Sequence, residues 1–431
     1  MVDGQPADAT IVPTRRLYDL PALLTDLFIA LRNVLRHRRR SLMGIASIAF
    51  GVIALMQAAG FVEWVYWAMR EDTIRSRLGH IQIMREGYLQ RGQADPYAYL
   101  LPGDSPIPGE IAQLPGVRAV APRLAFSGLA SLGETTLSFI GEGMEPASEA
   151  WLNEGTVITA GRDLTAADAQ AMVLGHGLAQ NLGASVDDTV VLLANTASGG
   201  INAVEGPVRG TFSTVSKSYD DAALRLPLAL AQQLLRVEGA HRWIVVLEDT
   251  AQTDDVLAQL RARYGSGDAM RLDFVPWYEL ADFYNKTVSL FSKQVGVVKL
   301  IIAIIIVLSI SNTLTMSVLE RTSEIGTTLA LGSTRRQILR RFLGEGLALG
   351  ILGGVVGLAL GALLALLISA IGIPMPPPPG MARGFTGEIR LTPQLAFDAW
   401  TLAVVTTLAA SVYPAWRASR LEIVDALRHA R

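Results

Sequence analysis

The 431-residue chain contains no cysteine, and lysine occurs only at positions 217, 286, 293 and 299. Without cysteine there can be no disulfide, thiolate metal site or cysteine nucleophile, which suits an oxidising compartment. With so few lysines, a phosphate-cradling loop of the G-x-x-x-x-G-K-[ST] kind has nowhere to form. Charged residues make up only 18% of the chain, against about 25% in an ordinary soluble domain. The five histidines, His37, His80, His176, His241 and His429, include no H-E-x-x-H and no pair at ligand spacing. No G-x-S-x-G elbow occurs. The net charge of −2 hides strong local asymmetry, and no nucleic-acid partner is expected.

Half of the residues are hydrophobic, and the excess gathers in four stretches. A membrane core needs roughly 20 apolar residues in a helix. The expected spans are 42–62, 295–318, 342–371 and 396–415. The last is the shortest in its apolar core, Phe397–Val412, and carries Asp398 at its edge.

Arginine sets the direction of insertion. Before the first span stand Arg15, Arg16, Arg32, Arg36, Arg38, Arg39 and Arg40. Between the second and third stand Arg321, Arg335, Arg336, Arg340 and Arg341, and after the fourth Arg417, Arg420, Arg428 and Arg431. The loop between the third and fourth holds only Arg383 and Arg390. The expectation is a multi-pass protein of the bacterial inner membrane, with both termini cytoplasmic and residues 63–294 in the periplasm.

The first span follows some forty residues, has a long apolar stretch and no A-x-A site after it, and so reads as an uncleaved anchor. Within residues 1–41, Leu20, Leu23, Leu24, Leu27, Leu31, Val34 and Leu35 form one apolar stripe, which predicts a helix lying in the inner interface of the lipid bilayer.

Residues 63–294 alternate short β-type runs with helical ones, which predicts a mixed α+β domain. Strands are expected at Ile81–Met84, Thr189–Leu193 and Trp243–Leu247, and helices at Ala222–Leu235 and Thr253–Tyr264. Pro102–Pro108 reads as a loop or joint, Ser198–Gly200 as a turn, and Asp187-Asp188 as the turn before a strand. His176, in Gly-His-Gly, reads as a surface or packing residue. The domain looks like a binding or mechanical module without catalytic groups.

The segment 319–341 carries the most specific pattern. Gly332 can stop a helix in the left-handed conformation, and Thr334 with Gln337 forms a capping box that starts the next. The product is a tight helical corner bearing Arg335, Arg336, Arg340 and Arg341. In the third span, Gly346, Gly350 and Gly354, and also Gly353, Gly357 and Gly361, repeat at i+4 as two small-residue tracks that let another helix approach closely. Glu345, about one turn inside this span, can snorkel or pair with Arg341 at i−4.

The stretch ERTSEIGTTLALGSTRRQILRRFLGEG from Glu320 resembles the E-R-T-x-E-I-G…A-L-G signature of the MacB/LolC/LolE/FtsX-type ABC transporter permeases. The tail from Tyr413 to Arg428, YPAWRASRLEIVDALR, resembles their ending, although Ile423 stands where the family usually has proline. Weaker likenesses lie at Leu114–Arg123, Val173–Gly183 and Leu226–Leu235, and the loop 372–395 is unusually proline-rich at Pro374–Gly380.

Domain size and the tail place the likeness nearest the LolC/LolE lipoprotein-releasing branch. The resemblance implies a non-catalytic permease subunit that binds no cofactor itself and uses ATP through a separate cytoplasmic ATPase. It implies a second permease copy or a paralogue beside it, and a periplasmic carrier or adaptor as a further partner. The cargo it implies is lipoprotein or lipid, with FtsX-like signalling or MacB-like efflux as alternatives. Within the corner, the resemblance gives ATPase coupling to Glu320, Arg321, Glu324, Ile325, Gly326, Leu329, Leu331, Gly332, Thr334, Arg335 and Gln337. Of these, Ile325, Leu329 and Leu331 would fill a groove on the ATPase, while Arg321 and Glu324 fix the corner or touch the ATPase.

Overall fold

A computed structural model of the chain describes residues 38–92, 94–149, 151–152, 156–214, 216–265, 270–376 and 385–422. The helix expected over Leu20–Leu35 and the tail from Ile423 onward lie outside the described residues.

In chain order the main elements are α1 (Arg38–Thr73), β1 (Ile81–Arg85), β2 (Val117–Leu132), β3 (Thr135–Met144), β4 (Val157–Gly161) and β5 (Met172–Gly175). Then come α2 (His176–Leu182), β6 (Thr189–Asn195), β7 (Ile201–Ser213), β8 (Ala223–Pro227), α3 (Leu228–Leu235), β9 (Arg242–Leu247), α4 (Thr253–Tyr264) and β10 (Leu272–Pro276). The chain continues through α5 (Asp282–Glu320), α6 (Thr322–Ala330), α7 (Arg335–Ile371), the short strands β11 (Ile373–Met375) and β12 (Phe385–Gly387), and α8 (Pro393–Ser419).

These elements form two compact units. One takes in the described residues up to Glu63, Lys293–Ile371 and those from Glu388 on; the other is Trp64–Ser292 with Gly372–Gly387.

In the β-rich unit, the strand pairings close on themselves. β2 pairs with β3, β3 with β8, β8 with β5, β5 with β7, β7 with β6, and β6 returns to β2. A ring of this kind leaves no edge among its members. Leu124, Phe126, Phe139, Leu174, Leu192 and Val208 share one buried core with Leu178 of α2 and Leu230 and Leu234 of α3. β2 is 16 residues long and serves three partners, β3, β6 and β9. Its first half runs antiparallel to β9, which continues to β1 and β10. This wing has its own core, where Val256, Leu257 and Leu260 of α4 cover Ile83, Trp243, Val245 and Phe274.

The expected helix over Ala222–Leu235 is corrected here. Ala222 lies in a turn, Ala223–Pro227 are the buried strand β8, and the helix begins only at Leu228. Pro227 holds Leu226 in the extended region and offers no N–H to a helix interior. The turns expected at Asp187 (φ +72°) and Gly199 (φ +83°) are present.

In the helical unit, four helices among the described residues are long and apolar enough to cross a membrane: Ser41–Leu78, Asp282–Glu320, Arg335–Ile371 and Pro393–Ser419. They exceed the sequence-based spans. α5 has 39 residues, or about 58 Å of helix, against a hydrocarbon core of about 30 Å. One face of each packs inward: Ile48, Val52 and Met56 of α1, Ile302, Ile306, Ile310 and Leu314 of α5, and Ala399 and Ala403 of α8. The opposite face of α5 keeps Val297, Leu300, Ile304 and Leu308 exposed, the pattern of a helix that is apolar all round. Asp398 is tolerated because Lys299 Nζ of α5 reaches its Oδ2 at 3.4 Å and Gln394 donates to its Oδ1 at 3.0 Å.

Candidate functional site

The corner of the helical unit is built from backbone outward. α5 breaks at Arg321, whose φ and ψ of −104° and 16° are not helical. α6 ends in a Schellman motif, with Ser333 N–H donating to Thr328 O at 3.2 Å and Gly332 N–H to Leu329 O at 3.0 Å. Gly332 sits at φ +95° with open space around it. The capping box follows at once: Thr334 N–H donates to Gln337 Oε1 at 2.8 Å, and Gln337 N–H to Thr334 Oγ1 at 3.3 Å. Two helix ends thus satisfy their own orphan groups within ten residues, Thr328 to Gln337.

Arg321 is the hub of this corner. Its Nε donates to Glu324 Oε2 at 3.2 Å, its Nη1 to Glu345 Oε2 at 3.3 Å, and its guanidinium lies 5.8 Å from the Phe342 ring centroid. Glu345, for which the sequence offered snorkelling or a pair with Arg341, forms an ion pair with Arg321 across the corner.

The structure also corrects the apolar residues of the corner. Ile325 is only 5% exposed. It packs with Val318, Ile338, Phe342, Ala415 and Ala418 in a small core, against which Leu329 is half-buried. Ile325 fills a groove of the corner itself. Gly326 is buried beside it. Leu331, by contrast, is 83% exposed. Exposed Thr334, Arg335, Arg336 and Gln337 follow within two turns, and Arg340 one turn further. The corner thus presents one large apolar side chain beside several cations, a surface suited to an apolar socket with an acidic rim.

The two glycine tracks of α7 face different neighbours. An added Cβ at Gly346, Gly350 or Gly354 would lie 2.5 Å from Ser411 Cβ, 3.2 Å from Thr407 Cβ and 2.7 Å from Trp400 Cδ1, all on α8. At Gly353, Gly357 or Gly361 it would lie 2.7 Å from Ile48 Cβ, 2.6 Å from Val52 Cβ and 2.7 Å from Met56 Sδ, all on α1. α7 is packed between two helices at backbone distance.

In the β-rich unit several titratable groups are held in buried ion pairs and hydrogen bonds. Arg123, fully buried, pairs through Nε and Nη2 with Glu149 at 2.8 and 2.6 Å and through Nη1 with Glu142 at 3.0 Å. Arg242 Nη2 donates to Glu142 Oε1 at 2.7 Å. Burial pushes the Glu142 carboxyl up, but Arg123 and Arg242 outweigh it and bring its pKa down to about 2. His241 accepts from Ala125 N–H at Nδ1, and burial pushes its pKa down to about 4. His176 is exposed at the start of α2. Among the described residues no three His, Asp or Glu side chains are grouped so as to hold a metal. The Arg123 network was not foreseen, since Glu142 and Glu149 are far from it in sequence. The cue was a charged side chain inside the β-type run of β2.

A bundle of four apolar helices with a large α/β unit between the first two defines a membrane permease carrying a periplasmic-type domain. Residues 41–263, just over half of the chain, match the MacB-like periplasmic core domain, and residues 296–423 match the FtsX-like permease C-terminal domain. The chain belongs to the MacB/FtsX type of ABC transporter permease.

An uncharacterized ABC transporter permease of Methanocaldococcus jannaschii is 28% identical over 228 residues, covering 52% of this chain and 55% of that one. The macrolide export ATP-binding/permease protein MacB of Rhodospirillum rubrum is 29% identical over 333 residues, covering 74% and 47%. The chain thus spans about half the length of these relatives. Among solved structures, the periplasmic region of MacB from Actinobacillus actinomycetemcomitans is 15% identical with a TM-score of 0.36, covering 49% of this chain and 95% of that one.

Proposed function

We propose that this permease is a subunit of the inner membrane with both termini in the cytoplasm, and that its corner docks onto a separate ATP-binding subunit. ATP would be bound and hydrolysed there, while this chain binds no cofactor and delivers the stroke to the periplasmic unit. The observation that carries the reading is the self-capped corner with Leu331 exposed on it. Support comes from the arginines gathered at the corner.

Glu320, Arg321, Glu324 and Gly326 hold the corner's shape in this reading; Leu331, Thr334, Arg335 and Gln337 meet the ATPase. A second copy or a paralogue completes the assembly, and the cargo is lipoprotein or lipid moved toward the outer membrane. A second reading, in which the chain drives a periplasmic adaptor as an efflux or scaffold subunit, is favoured by the MacB-like match of the β-rich unit.

The cysteine-free chain permits a direct test of topology. An impermeant thiol reagent applied to intact spheroplasts should label Ser131→Cys and spare Ser333→Cys. Labelling of Ser333→Cys alone would reverse the orientation and remove the corner from any cytoplasmic ATPase.

A further inference from the structure

The end of α1 is an unusual joint inside the β-rich unit. Beyond Thr73 the helix widens into a π-helical turn, Ile74–Leu78, and stops at Gly79, where φ is +63° and a Cβ would collide with Ile244 of β9. A π turn is an uncommon element found mostly at functional positions.

Several contacts hold this one. His80 N–H donates to Val245 O at 2.9 Å, and Trp277 N–H donates to His80 O at 2.9 Å. Ile74 is fully buried with Trp277 and with Ala281 just before α5.

The side chains then form a directed relay. His80 Nδ1 accepts from Leu247 N–H at 3.1 Å, which leaves the hydrogen of the neutral ring on Nε2. Nε2 lies 3.1 Å from Thr250 Oγ1, and the Thr250 hydroxyl donates to Glu71 Oε1 at 3.1 Å, back on α1. Arg70 and Arg75 sit on the same carboxylate at 3.1 and 3.3 Å. Burial lowers the pKa of His80 to about 4 against the pull of Glu71, so the ring stays neutral and the relay keeps its polarity at ordinary pH. Glu71 lies before the π turn and His80 after it, so the relay spans the deformable segment from both sides.

We propose that the relay from His80 through Thr250 to Glu71 is a clamp that makes the last turns of α1 a rigid part of the β-rich unit. A displacement of α1 is then delivered to β1 and β9 instead of being absorbed by the π turn. Glu71, Thr250 and His80 are positioning residues in this scheme. The inference rests on the reading of the chain as a mechanical coupler.

The test uses the full-length chain in lipid nanodiscs, spin-labelled at Ala68→Cys on α1 and Gln259→Cys on α4, both in the β-rich unit, with the distance distribution between labels as the readout. Thr250→Val keeps the side chain's shape and removes its donor and acceptor. It should broaden the distribution while the unfolding temperature stays close to that of the parent.

Thr250→Ser, which restores the hydroxyl, should return the narrow distribution. Glu71→Gln keeps an acceptor oxygen for Thr250 but loses the charge facing Arg70 and Arg75, and should also stay narrow. An unchanged width in Thr250→Val overturns the clamp, as does broadening in Glu71→Gln equal to that in Thr250→Val, since ion pairing would then be the fastening. The measurement needs neither nucleotide nor partner subunit. A permease that never docks an ATPase would still show the effect, and a docking permease without a clamp would not.

Discussion

Replacing Gly332 by alanine isolates one energetic term. A Cβ at this position meets nothing within 4 Å, so there is no clash to relieve and no packing to gain. What remains is the φ of +95°, a backbone region that costs an L side chain roughly 1–2 kcal/mol. The strain falls on the Schellman bonds, Ser333 N–H to Thr328 O and Gly332 N–H to Leu329 O. Opening that turn should therefore become easier by the same amount, and the Ser333 amide should exchange its hydrogen roughly five- to thirtyfold faster. Native-state hydrogen exchange on the chain in nanodiscs reads this directly. Gly332→Asn, which tolerates the left-handed region better, should lie between the parent and Gly332→Ala. The Gln337 amide, held separately by Thr334 Oγ1 at 3.3 Å, should change little. Equal Ser333 exchange in parent and Gly332→Ala would show that the corner is not held by this turn.

Gly357→Leu should lower the thermal midpoint of the detergent-solubilised chain, because its Cβ would stand 2.6 Å from Val52 Cβ and 3.0 Å from the backbone Cα of Ala49. Overpacking of this kind costs about 1–3 kcal/mol, whereas Leu360→Ala, on the exposed face of α7, should be nearly silent; equal midpoints would refute the close α1–α7 approach. Acid should destabilise the β-rich unit. His80 and His241 have folded pKa values near 4, below the ordinary 6.5, so the unfolded chain takes up protons first. Their contribution is complete above pH 6.5 and is lost as the pH falls toward 4, by roughly 3 kcal/mol for each. Urea midpoints at pH 7 and pH 4.5 test the sign, and a midpoint that rises on acidification would contradict it.

The four spanning helices were legible because a run of some twenty uncharged residues has few other uses. Their ends were not. Glu63, Arg70, Glu71 and Asp72 look like the polar start of a soluble domain, yet α1 continues through them to Thr73. Helix propensity and membrane burial set different boundaries, and only the second leaves a strong hydrophobic mark. The caps of the corner could be read to the residue, since Gly332, Thr334 and Gln337 act on neighbours three or five positions away.

The partners of the corner's side chains could not be read in the same way. Ile325 and Leu331 both appear as apolar residues of a short helix, and nothing local distinguishes the one buried against Phe342 and Ala415 from the one left outside. The pairing of Arg321 with Glu345 joins positions 24 apart, and an i−4 arginine offered a nearer choice. In β8, the cue was present in Pro227 but was outweighed by the helical spacing of the leucines that follow it.

Leu331 provides the most direct test of the whole account. A photoreactive amino acid placed there, in the full chain in native membranes, should crosslink on illumination to one ATP-binding subunit, identified by mass spectrometry of the adduct. The same group placed at Ile325, inside the corner's own core, should give no intermolecular product. An adduct at Leu331 with lipid alone, or with a periplasmic protein, would contradict the assignment of this corner as the seat of an ATPase.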